Sequence, residues 1–205
     1  NTSVIAPEGD IAFDVCEFVK DNSPQVVWES TGNVTGEIEL TGGSLWINKD
    51  LELTKPIMAV KNGNAIWATG NITPSASWNG GDALVVVKRN ASLGLSGSGS
   101  IDAGYNENIY AAVKMTEKGE ESTEGTAELT VNDMTLKGYY YGITGNGNRH
   151  DTHICIQSGT IGHNCPNDGH AIYHPQDGYL EVWGGDLTGY NSAVELRAGR
   201  MNVNI

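Results

Sequence analysis

The stretch Ala127-Glu-Leu-Thr-Val-Asn-Asp-Met-Thr-Leu-Lys-Gly138 decides the fold, because two later stretches superimpose on it. These are Thr152-His-Ile-Cys-Ile-Gln-Ser-Gly-Thr-Ile-Gly-His163 and Gly178-Tyr-Leu-Glu-Val-Trp-Gly-Gly-Asp-Leu-Thr-Gly189. Leu129, Ile154 and Leu180 coincide, then Val131, Ile156 and Val182, then Leu136, Ile161 and Leu187. The first two positions alternate with polar residues, so both point to one face of a strand. After a few residues rich in Gly, Asn and Asp, the third apolar residue returns to the same interior. The steps between copies are 25 and 26 residues, then 21 to Met201.

A second apolar cluster follows within each copy, at Tyr141–Ile143, Ala171–Tyr173 and Ala193–Leu196. Looser copies precede these, at Leu45/Ile47 with Leu53, at Ile66 with Leu84–Val87, and at Leu93/Leu95 with Ile101. Ile38/Leu40 are read as the start of the first. A repeat of this length, with short strands and no helix, is one rung of a parallel β-solenoid. One rung cannot bury its own core, whereas stacked rungs bury a continuous one. Gly and Asn at the corners adopt left-handed backbone angles at little cost. A leucine-rich repeat would need a helical segment that is missing, and a β-sandwich would not give superimposable rungs. The expected fold is therefore all-β: a single-stranded right-handed parallel β-helix over residues 36–205, preceded by a cap or linker over 1–35. Within that cap, Ile11, Val15, Phe18 and Val19 have helical spacing, and Asp10 could cap such a helix, with a strand as the alternative. Residues 114–126 read as a charged loop extruded from a rung, with four Glu and two Lys.

Three motifs carry a resemblance: Ala171-Ile-Tyr-His-Pro-Gln-Asp-Gly178, the Gly-Gly-Asp-Leu-Thr-Gly run at 184–189, and Val194-Glu-Leu-Arg-Ala-Gly199. They resemble repeats of pectate-lyase-like right-handed β-helix proteins, of the kind found in gut-bacterial surface proteins and phage structural proteins. The resemblance covers residues 127–205 closely, 36–126 by rung pattern, and 1–35 not at all. It implies an extracellular setting, on a virion or a bacterial surface, and self-association, with a trimer as in phage β-helix fibres. It implies architecture more than activity.

Composition narrows the function classes. Gly numbers 27 of 205 residues and Pro only 6, without a three-residue period, which excludes collagen. The net charge of −13 repels phosphate backbones and argues against nucleic-acid binding. No apolar run approaches the ~20 residues of a membrane helix. The chain begins at Asn1 rather than Met and stops in a strand-like run at 201–205, so a processed chain or a fragment is expected. Its three cysteines, Cys16, Cys155 and Cys165, are not a disulfide framework, and a Cys155–Cys165 bridge and free thiols both stay open. Sequons begin at Asn1, Asn33, Asn71 and Asn90.

Two constellations are candidate sites. All five histidines, His150, His153, His163, His170 and His174, fall within 25 residues, among Asp151, Asp168, Asp177 and Cys165. Imidazole, thiolate and carboxylate are transition-metal ligands, although no zinc-type spacing is present. No other cofactor is expected. Parity places His153 and His163 outward and His150 and His170 near turns. Trp46, Trp183, Tyr139 and Tyr140 are outward aromatics suited to sugar faces or to a protein interface. Catalysis finds less support. Asn167-Asp-Gly-His170 is a fragment of the galacturonan-hydrolase vocabulary, without its D-D or R-I-K motifs, and Glu181 and Glu195 sit on different strands of one rung. The expected function is a non-catalytic structural, display or adhesion β-helix, with cell-surface glycans or a capsid or surface scaffold as partners. The alternatives are a polysaccharide lyase or glycoside hydrolase of this fold, or a glycan-binding module.

Overall fold

The structure is a computed structural model that describes residues 2–5, 24–28, 32–34, 38–115, 125–145, 151–175 and 177–204, with side chains from residue 38 onward. Every regular element among them is a β-strand. After β1 (Thr2–Ile5) the strands come in threes. The first rungs are β2 (Pro24–Trp28), β3 (Gly32–Val34), β4 (Ile38–Leu40), then β5 (Gly43–Ile47), β6 (Leu51–Leu53), β7 (Ile57–Ala59). Next come β8 (Asn64–Ala68), β9 (Asn71–Pro74), β10 (Ala83–Val87), then β11 (Ser92–Ser96), β12 (Ser100–Asp102), β13 (Ala111–Met115). The last rungs are β14 (Thr126–Asn132), β15 (Thr135–Gly138), β16 (Tyr141–Gly145), then β17 (Asp151–Ile156), β18 (Thr160–His163), β19 (His170–His174), then β20 (Gly178–Val182), β21 (Asp186–Leu187), β22 (Ser192–Leu196). β23 (Arg200–Val203) opens one more.

Each rung gives one strand to each of three parallel sheets. The first sheet runs β1-β2-β5-β8-β11-β14-β17-β20-β23, the second β3-β6-β9-β12-β15-β18-β21, and the third β4-β7-β10-β13-β16-β19-β22. Crossovers between parallel strands of one sheet are right-handed, and the molecule is a right-handed parallel β-helix.

The register stacks like on like. In the first sheet Leu45, Ile66, Leu95, Val131, Ile156 and Val182 form one column. Leu51, Ile72, Ile101, Leu136, Ile161 and Leu187 form another in the second sheet. Ile57, Val85, Val113, Ile143, Ile172 and Val194 form the third. Most of these side chains are wholly buried and belong to one continuous core. Asn64 is the polar exception in its inward column, between Gly43 and Leu93. Its Oδ1 accepts from Gly42 N at 2.7 Å, and its Nδ2 donates to Ser92 O at 3.1 Å and to Lys61 O. A buried amide is tolerated here because it ties the corners of adjacent rungs.

Several expectations change. Ile38 and Leu40 close a rung in the third sheet rather than start one. Strands β1, β2 and β3, within the expected cap, already stack in the sheets. The expected helix at 10–21 and most of the loop at 114–126 lie outside the described residues. Lys114 and Met115 belong to β13 and Thr126 to β14. Two eight-residue loops, 75–82 and 103–110, leave the rungs between the second and third sheets. Cys155 and Cys165 are both free, and Cys16 lies outside the described residues.

Candidate functional site: an aromatic face on the third sheet

The third sheet does not alternate strictly. Leu84 and Val85 both face the core, as do Ala112 and Val113, and Ala171 and Ile172. Two consecutive inward residues leave the positions on either side facing out. Ala83, Ala111, Tyr141, His170 and Ser192 form one outward column, and Val86, Lys114, Thr144, Tyr173 and Glu195 the other.

On the last rungs these columns meet in one patch. Tyr141 and Tyr173 stack at 5.2 Å between centroids, with planes 25° apart, and Tyr141 stacks on His170 at 6.0 Å and 14°. Arg197 lies over the Tyr173 ring, its Cζ 5.7 Å from the centroid. Its Nε donates to Glu195 Oε1 at 2.6 Å. The other carboxylate oxygen, Oε2, faces His170 Nε2 at 3.1 Å. His170 Nδ1 lies 2.8 Å from Ser192 Oγ, which donates to Val194 O at 3.1 Å. Both imidazole nitrogens therefore have partners, and the ring is fixed between two strands. Adjoining it, in the turn before β16, Tyr140 meets Tyr139 edge-on at 4.7 Å and Tyr110 at 5.4 Å, and lies 6.1 Å from Tyr141.

The phenols are held protonated. Tyr139 is shifted above the ordinary tyrosine value, chiefly by its hydrogen bond with Cys165. Loss of solvent does the same for Tyr140, and burial followed by the neighbouring Tyr173 for Tyr141. The Arg197 guanidinium is shifted up by its hydrogen bond with Glu195. The chain matches no family model, no curated protein and no solved structure.

Of the aromatics singled out in the sequence, Tyr139 and Tyr140 join this patch. Trp46 is on the first sheet, half-buried like the tyrosines, and pairs with Trp67 at 4.9 Å. Trp183 is 57% exposed just after β20, also on the first-sheet side. The structure does not bring either tryptophan to the tyrosines.

The histidines are dispersed. His153 faces outward on the first sheet, 3.3 Å from Glu181 Oε2 and edge-on to Tyr179. His163 ends β18 on the second sheet, and its Nδ1 is buried without a partner among the described residues. His174 is not a surface residue. It points into the core at 1% exposure, with Nε2 2.9 Å from Thr152 Oγ1. His150 lies outside the described residues. No group of three His, Cys, Asp or Glu side chains among the described residues is placed to hold a metal ion.

Tyr173 was not singled out from the sequence, and Glu195 was weighed only as a catalytic carboxylate. The available signal was the alignment of Tyr173 with Glu195 across two copies, obscured by the doubled inward residues that break period-2 parity.

Proposed function

We propose that this chain is a non-catalytic display or adhesion β-helix of the pectate-lyase-like kind, working at an extracellular surface such as a virion or a cell envelope. Its outer third sheet engages surface glycans. One observation carries this reading: the Tyr141–Tyr173 stack, flanked by Tyr140 and Tyr110 and edged by Glu195 and Arg197. Aromatic faces pack against the C–H faces of sugars, while adjacent charged groups bond hydroxyls. A rigid stack keeps the ordering cost of binding small.

Glu195 and His170 also motivate a second reading, a polysaccharide lyase or hydrolase. A hydrolase needs two carboxyl groups flanking the bond. Here Glu195 is engaged by both Arg197 and His170. The upward shift of Tyr141 works against a tyrosinate base at neutral pH. Both features favour binding over turnover.

The test is a glycan array probed with the native chain and with Tyr173→Ala. Loss of one stacking ring removes about 0.5–1.5 kcal/mol beyond area burial, so binding falls about two- to thirteenfold. Equal binding by native and variant protein refutes the reading. Release of unsaturated products or reducing ends from a polysaccharide panel establishes the enzymatic alternative instead.

A further inference from the structure

A second site, lined by none of the patch tyrosines, lies where the loops 75–82 and 103–110 rise side by side. Between them is an open cleft of about 630 Å³, within the size range of small-molecule sites. One wall is Pro74, Ser75 and Ala76, and the other is Tyr105, a ring 81% exposed. The floor and rim are polar: Asn71, Ser100, Asp102 and Asn106.

Asp102, Asn71 and Ser100 are held before any ligand arrives. Asp102 Oδ1 accepts from Gly104 N at 2.7 Å and from Asn164 Nδ2 at 2.7 Å, and Asn164 also donates to Gly104 O at 2.9 Å. Oδ2 takes no part in either bond. Asn71 donates from Nδ2 to Asp50 Oδ1 at 2.9 Å and accepts from the Ser100 hydroxyl at 2.8 Å. The neighbouring loop is tied down by Asn79 N donating to Thr54 O at 3.0 Å and by the Asp82–Lys114 ion pair at 2.8 Å.

The chemistry selects the occupant. One carboxylate is too few for a dedicated Ca²⁺ cage. The same carboxylate, on a chain of net charge −13, disfavours phosphates and uronates. What suits an exposed ring beside a spare carboxylate oxygen and an amide is a ligand with one apolar face and vicinal hydroxyls. We propose that this cleft binds a single neutral hexose residue of a glycan, with Tyr105 as the stacking platform and Asp102 and Asn106 as the hydroxyl partners. The proposal rests on the glycan reading for its class of partner, but its residues are separate from the tyrosine patch.

The test is amide chemical-shift titration of the isotope-labelled chain with the methyl glycosides of glucose, galactose and mannose, and with galacturonic acid. At least one neutral glycoside should give saturable shifts at Gly104, Tyr105 and Asn106. The same shifts should persist in Tyr173→Ala and vanish in Tyr105→Ala, whose exposed ring leaves the core untouched. In Asp102→Asn the Oδ1 acceptor is kept and the charge-assisted bond is lost, so affinity should fall about tenfold or more. The proposal is overturned if no neutral glycoside shifts these amides, if both cleft variants bind as the native chain does, or if galacturonic acid binds tighter than the galactoside. Array binding without shifts at these amides overturns the cleft alone. Shifts there without array dependence on Tyr173 overturn the tyrosine patch and leave the cleft standing.

Discussion

Substituting alanine for two glycines three residues apart should move stability in opposite directions. Gly94 lies within β11, paired with Ala65 and Thr130, and a Cβ added there meets only Asn64 O at 3.9 Å. Gly97 lies at the corner that follows, with φ +104, and its added Cβ would sit 2.2 Å from Ala68 O in the rung below. That contact is with backbone, which cannot rotate away. Ala68 O also accepts from Gly99 N at 2.9 Å. For Gly97→Ala, left-handed strain costs about 1–2 kcal/mol, and the disturbed hydrogen bond about 0.5–1.5 kcal/mol. Reduced freedom of the unfolded chain offsets about 0.4–1 kcal/mol of this. The net loss is about 0.5–3 kcal/mol, whereas Gly94→Ala, with no strain, gains up to about 1 kcal/mol. Urea unfolding followed by circular dichroism gives both numbers, and hydrogen exchange at Gly99 locates the damage. If Gly97→Ala is as stable as Gly94→Ala, the rungs do not approach closely at this corner.

Two further outcomes follow from burial and charge. Ile143 is wholly buried between Val113 and Ile172, so Ile143→Ala should cost about 2–5 kcal/mol in urea unfolding, and a loss under 1 kcal/mol would contradict the stacked core. The Cys155 thiol is shifted up by burial and then by Glu181; it is therefore protonated at neutral pH, its alkylation by iodoacetamide should rise only above the ordinary thiol range, and Glu181→Gln should speed that reaction at a given pH.

The core was legible because it needs only apolar residues at fixed offsets. Leu129, Ile154 and Leu180 align by eye, and the structure pairs them in register. Loops obscured the earlier copies. Ile66 and Leu95 are 29 residues apart and Leu95 and Val131 36, because 75–82, 103–110 and the segment before β14 lengthen those rungs. Nothing in a local pattern says that such residues leave the stack. The outer face was less legible for a different reason. Parity assigns faces only while strands alternate, and the paired inward residues Ala171-Ile172 reset it within β19. His170 then faces out beside Glu195, whereas His174, four residues later, is enclosed. The metal reading drew its force from closeness in sequence, and a solenoid sends neighbouring residues to three different faces.

The solenoid also supplies an internal control on what the tyrosine patch is for. One outward column of the third sheet holds Met58, Val86, Lys114, Thr144, Tyr173 and Glu195 in successive rungs. The fold therefore accepts a thioether, an aliphatic, a cation, a hydroxyl, a ring and a carboxylate at the same structural position. Packing does not dictate the identity of Tyr173 or Glu195. The early members of the column are covered, with Met58 and Val86 each 4% exposed and the adjacent Ala83 and Ala111 at 1% and 0%. On the last rungs the residues change from small and aliphatic to Tyr, His, Glu and Arg as the face becomes more accessible. A run of rings cross-braced by His170–Glu195 and Glu195–Arg197 bonds is a fixed surface, and fixing half-buried side chains costs conformational entropy. On the proposed glycan reading, recognition of a partner offsets that cost, and the Tyr173→Ala array comparison tests it.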